Sequence, residues 1–121
     1  MSGNRFLLDT NAIIHLLKFD QNLATNLQKA SWIGISIIIE FLAFPKLDAT
    51  DKAIFERFVS RIHIVGLEPK NRELLYKVIE LRRLYKLKVP DAIVAATALV
   101  LKAVLVTQDD DFKKVQDLEI L

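Results

Sequence analysis

Asp9, Glu40, Asp91 and Asp109 are the residues whose type and setting point to chemistry. Three of them stand where an apolar run gives way to a turn or where a helix begins. Asp9 follows Phe6-Leu7-Leu8, Asp91 follows Val89-Pro90, and Asp109 closes Val104-Leu105-Val106-Thr107-Gln108. Glu40 sits between Ile37-Ile38-Ile39 and Phe41-Leu42, with no basic residue within a helical turn of it. A carboxylate on an apolar helix is costly to bury without a positive partner, and a metal ion is one such partner. Four oxygen ligands with no histidine or cysteine among them suit hard Mg²⁺ or Mn²⁺ rather than zinc.

Each acid also has a plainer reading. Asp9, Thr10 or Asn11 could cap the following helix. Glu40 could reach solvent or pair with a distant arginine. Asp91 suits the positive end of a helix dipole. In the run Asp109-Asp110-Asp111 one of the last two is expected to cap a helix starting near Phe112, which leaves Asp109 surplus to capping.

The elements that must position these acids follow from pattern. Phe6–Leu8 is too short an apolar run for a helix and reads as a buried strand, followed by a turn and a helix over Ala12–Leu17. A second helical stretch runs from Asp20 or Asn22 to about Ala30. Trp32–Ile35 reads as a strand, with Ser36 as N-cap of a helix that Pro45 stops. Ile54, Phe55, Phe58 and Val59 have helical spacing, and Ile62–Val65 ends at Gly66 as a strand would. Pro69 opens the longest periodic stretch, reaching about Tyr85, and Val89-Pro90-Asp91 opens an alanine-rich helix over Ala92–Leu101. Val104–Thr107 is the clearest buried strand, and Leu118–Leu121 reads as a short edge strand.

Strands alternating with helices imply an α/β fold, a doubly wound, mainly parallel central sheet with helices on both faces. If the first strand is central with the Val104 strand beside it, Asp9 and Asp109 emerge together at the carboxyl edge of the sheet, where such folds bind ligands. The 121 residues make a single domain over 1–121.

Composition narrows the class further. With no cysteine there is neither a disulfide framework nor a thiolate metal site, which fits a reducing cytoplasm. No apolar run is long enough to span a membrane, and the N-terminus lacks the layout of a secretory signal. The hydrophobic fraction of 52% is high for so small a chain, so a homodimer that covers apolar surface is expected. A net charge of +2 does not diagnose nucleic-acid binding, but its distribution is suggestive. Lys70, Arg72, Lys77, Arg82, Arg83, Lys86 and Lys88 lead straight into Asp91. Arg82, Arg83, Lys86 and Lys88 are the subset expected to hold a phosphate backbone, the alternative being a solvated helix face.

Leu8-Asp9-Thr10-Asn11, the lone Glu40 in an apolar helix, the run from Pro90-Asp91 to Ala98, and Val106-Thr107-Gln108-Asp109-Asp110-Asp111-Phe112 together resemble the PIN-domain ribonucleases. Within them the chain is most similar to the small VapC-type toxins of toxin–antitoxin pairs. The resemblance spans essentially the whole chain. It implies that Asp9, Glu40, Asp91 and Asp109 are the catalytic acids and hold Mg²⁺ or Mn²⁺, as one ion or two. Thr107 and Asn11, with Thr10 beside them, would support the acids, and Asp111 is an extra acid. The activity implied is hydrolysis of RNA phosphodiester bonds, with an antitoxin as protein partner. One departure is the turn Tyr85-Lys86-Leu87-Lys88, where many relatives carry a glycine.

Rival functions are weaker on residues. A phosphorylated receiver domain wants adjacent acids after the first strand, and here a single acid is followed by Thr10-Asn11. A nucleotide-binding domain needs a glycine-rich turn, whereas Gly3, Gly34 and Gly66 are scattered. A non-catalytic PIN-like module that binds RNA or protein is the main alternative, against which four retained acids argue. His15 and His63 stand singly in apolar stretches and read as core or surface histidines.

Overall fold

A computed structural model describes residues 5–9, 13, 31–60 and 62–121. In it, four strands, β1 (Phe6–Leu8), β2 (Ser31–Gly34), β3 (His63–Val65) and β4 (Val104–Val106), form one sheet in the order β3-β2-β1-β4. Every pairing is parallel, with Leu7 opposite both Trp32 and Leu105, and Trp32 opposite His63. Successive side chains on a strand point to opposite faces. Leu7 and Leu8 are both buried, as are Leu105 and Val106, so both faces of β1 and β4 are covered. The doubly wound α/β expectation holds. Residues 118–121 supply less than the expected edge strand: a single parallel bridge joins Leu105 and Ile120. Leu105 N–H donates to the Glu119 carbonyl at 2.8 Å, and Leu121 N–H to the Leu105 carbonyl at 2.9 Å.

The described helices are α1 (Ile35–Leu42), α2 (Ala49–Val59), α3 (Arg72–Tyr85) and α4 (Val89–Leu101). Helix α1 starts at Ile35, two residues before the Ile37 start that a Ser36 cap implies. Gly34 is its N-cap and leaves β2 with extended backbone, so strand and helix adjoin with no side-chain cap between them. Asp48 caps α2 by accepting from Asp51 N–H at 2.7 Å, and the Phe55 ring stacks on Phe41 of α1 at 3.8 Å between centroids. A stacked pair of this kind adds about 0.5–1.5 kcal/mol beyond the area it buries.

Helix α3 begins at Arg72 rather than at Pro69, because Asn71 supplies the cap, accepting from Leu74 N–H at 3.2 Å. Leu74, Val78 and Leu81, four and three residues apart, form its buried stripe. Helix α4 begins at Val89, with Pro90 and Asp91 inside the first turn, where the missing proline N–H leaves no bond unmade. Ala92, Ala95, Ala96 and Ala98 are fully buried. Side chains this small let α4 lie close against its neighbours, and the burial of Ala92 fixes the rotation that sets Asp91 at the helix entrance. Apart from Ile13, the expected helices over Ala12–Leu17 and up to Ala30, with Thr10, Asn11 and His15, lie outside the described residues. No helix among the described residues is long and apolar enough to cross a membrane.

Candidate metal centre

The strand order decides where a site can form. The chain steps outward from β1 through β2 to β3, then returns to the other side of β1 as β4. The switch point therefore lies between β1 and β4, at whose carboxyl ends Asp9 and Thr107 stand. Asp9 N–H extends the ladder by donating to the Val106 carbonyl at 3.0 Å, and Ile13 N–H reaches the Asp9 carbonyl at 3.0 Å.

Thr107 joins the two strand ends. Its buried hydroxyl accepts from Asp109 N–H at 3.1 Å, so its one proton is available for the Asp9 carboxylate, whose Oδ2 lies 2.7 Å away. A single side chain thus sets the position of Asp9 and the path of the backbone into Asp109.

Asp109 is not surplus to capping. It is the N-cap of a short 3₁₀ helix (Asp110–Lys114), where its Oδ1 accepts from Asp111 N–H at 2.9 Å. The expectation that Asp110 or Asp111 performs this task is corrected: both lie inside the first turn. Asp110 instead pairs with Lys113 at 2.8 Å, which holds the fully exposed Asp110 carboxyl below its ordinary range. The tight turn also returns Asp111 towards α4. Asp91, Asp109 and Asp111 each offer a carboxylate oxygen within 4.8 Å of the others, the arrangement a divalent cation needs. Asp111, an extra acid in the sequence, is therefore a full member of this group. Only the family resemblance singles it out from Asp110 in the sequence; residue type and spacing do not, because the choice depends on the 3₁₀ geometry.

Asp91 registers all of these acids at once. Its carboxyl is pushed above the ordinary aspartate range, first by burial and then by the charges of Asp109, Asp9, Glu40 and Asp111. Asp9 and Glu40 are thus near enough to act on Asp91, although they lie outside the tightest group. Glu40 corrects one premise: on apolar α1 it is exposed, so burial does not force a metal upon it. Neither ion pair among the described residues, Lys77–Glu80 and Lys113–Asp110, involves Asp91, Asp109 or Asp111. Like charges gathered this way, all from oxygen donors, fit a hard divalent ion.

The basic residues flank the entrance to α4. Arg82 and Arg83 are in the last turn of α3, Lys86 is its C-cap, Lys88 is the N-cap of α4, and all four are exposed. Arg82 is already engaged, its Nε donating to the Leu87 carbonyl at 3.0 Å.

A model of the PIN domain family matches residues 6–118. The chain belongs to the PIN domain family. Solved structures share its fold at low identity. VapBC2 from Rickettsia felis, bound to a DNA fragment from its promoter, superposes with a TM-score of 0.77 at 20% identity, covering 97% of each chain. A toxin–antitoxin complex from Klebsiella pneumoniae gives 0.73 at 24% identity, covering 95% of this chain and 94% of that one. DNA-bound VapBC from Salmonella typhimurium gives 0.74 at 20% identity, over 97% and 96%. A search of curated proteins finds no significant match.

Proposed function

We propose that this PIN domain is a divalent-metal-dependent endoribonuclease and the toxin of a toxin–antitoxin pair, acting in the cytoplasm as one domain over residues 1–121. The observation that carries the reading is the convergence of Asp91, Asp109 and Asp111 at the switch point, with Asp9 tied in through Thr107. Asp9, Asp91 and Asp109 would hold Mg²⁺ or Mn²⁺, with Glu40 and Asp111 completing the acidic ring. When bound, the ion supplies an activated nucleophile and neutralises charge developing on the phosphate. The chain's own residues do the rest. Thr107 holds Asp9 in a fixed rotamer, the 3₁₀ turn aims Asp109 and Asp111, and the α4 entrance presents Asp91. Arg83, Lys86 and Lys88 supply positive charge for the RNA backbone beside the acids.

The toxin assignment draws on the fold shared with the toxin–antitoxin complexes, and an antitoxin is the protein partner proposed. Exposed Ile39, Phe44, Tyr76 and Ile79 favour self-association into a homodimer. The purified protein should cut single-stranded RNA in Mg²⁺ or Mn²⁺, stop in EDTA, and lose cutting in both Asp9→Asn and Asp91→Asn. Cutting that persists in both variants would remove the acids from the mechanism.

A further inference from the structure

The turn that delivers Asp91 is tied to residue 82 twice, once through its backbone carbonyl and once through its arginine side chain. Lys86 ends α3 in the left-handed region, at φ 55° and ψ 35°, and its N–H donates to the Arg82 carbonyl at 3.0 Å. One residue on, Leu87 is buried, and its carbonyl accepts from Arg82 Nε at 3.0 Å. Lys88 then turns extended, and its carbonyl accepts from Ala92 N–H at 2.9 Å, closing the first turn of α4 around Asp91.

We propose that Arg82 is a positioning residue for the metal centre, clamping the Lys86–Lys88 turn through the Leu87 carbonyl rather than gripping RNA. The inference rests on the nuclease reading of the site and withdraws Arg82 from its phosphate contacts. A non-glycine residue enters the left-handed region only where its surroundings impose it. Here the bond from Arg82 Nε to the Leu87 carbonyl, the Lys86 N–H bond accepted by the Arg82 carbonyl and the buried Leu87 side chain impose it. A carbonyl in a largely buried residue needs a donor, and Nε provides one. Nε is also the guanidinium nitrogen nearest the backbone, so engaging it fixes the plane of the fork and limits its swing towards a substrate. Lys86 and Lys88 bracket the clamped carbonyl, so the same bond fixes the backbone from which both project.

Three substitutions separate the hydrogen bond from the charge. Arg82→Gln keeps an N–H donor the same number of bonds from the backbone as Nε and removes the charge. Arg82→Lys keeps the charge but moves its donor one atom further, and Arg82→Met removes both. Amide exchange of residues 86–92, measured without metal or RNA, is compared with kcat, KM and the salt dependence of KM on single-stranded RNA. A clamp predicts that Arg82→Gln retains most of the wild-type protection and kcat. Arg82→Lys and Arg82→Met should exchange faster across the turn and lose kcat by about tenfold or more, as displaced catalytic groups do. The salt slope of KM should hold in all three. If instead Arg82→Gln and Arg82→Met lose RNA affinity alike, Arg82→Lys keeps it, and the slope falls by about 0.7 in the neutral variants, Arg82 is a phosphate contact and the proposal is overturned. Unchanged exchange in all three variants would overturn it too. A wild type that cuts no RNA would end the nuclease reading while the exchange measurement still decides the clamp.

Discussion

At the scale of single residues, the candidate centre depends on two side chains doing opposite things. Thr107 stabilises: its hydroxyl satisfies one donor and one acceptor inside the acidic edge. Thr107→Val keeps the shape and removes both bonds, so it should cost about 1–3 kcal/mol in thermal or urea unfolding and lower RNA cutting. Thr107→Ser should recover both, and a silent Thr107→Val would show that the bridge carries no energy. Asp91, by contrast, is strained by its neighbours when no ion is present. Its folded pKa is raised, so its contribution to stability is fully present below its unfolded pKa and is lost as pH rises through the folded one. In EDTA the stability of wild type relative to Asp91→Asn should therefore fall as pH rises from acid to neutral. A difference that is flat across that window would contradict the crowding of carboxylates around Asp91. The Asp91→Asn substitution removes the titrating charge while nearly preserving the size and shape of the side chain.

At the scale of elements, short apolar runs and caps made the strands and helices legible in the sequence, and the misses have local causes. Pro69 marks the approach to α3, but Asn71 captures the free Leu74 N–H of the first turn and so sets the start. In Asp109-Asp110-Asp111 three identical side chains compete to cap, and the winner is the one that β4 leaves in extended backbone. Glu40 could not be assigned a face because α1 is apolar almost all round, which gives a helical pattern no phase. The role of Arg82 was hidden for a different reason, since a bond to a carbonyl five residues on requires the left-handed turn at Lys86. In that turn a lysine is held at φ 55°. Lys102, the exposed C-cap of α4, has the same conformation at φ 56°. Glycine enters this region without the Cβ clash but has more freedom to lose on folding, so Lys102→Gly should stabilise by a net of roughly 0.5–1 kcal/mol. Lys86→Gly should stabilise similarly and, unlike Lys102→Gly, weaken RNA binding. Equal RNA affinity in both variants would leave Lys86 a surface lysine.

At the scale of the whole molecule, the parallel order β3-β2-β1-β4 converts positions far apart in sequence into one acidic edge. The convergence of Asp9 with Asp109 was legible because alternating strands and helices imply a switch point, whereas the approach of Asp111 was not, being a product of turn geometry. The same scale governs association. With several large apolar side chains exposed, light scattering at micromolar concentration should report about twice the 13.8 kDa chain mass, and a monomer across a wide dilution series would contradict the homodimer. The central claim, that these acids form one shared metal site, is tested most directly by matched thermal melts of wild type and Asp91→Asn in EDTA and in millimolar Mg²⁺. Relief of repulsion predicts that the variant melts higher than wild type in EDTA and that Mg²⁺ stabilises wild type more than the variant. If Asp91 only complements the α4 dipole, worth about 0.3–1 kcal/mol, the variant melts lower and Mg²⁺ acts on both alike. That result would contradict the shared site.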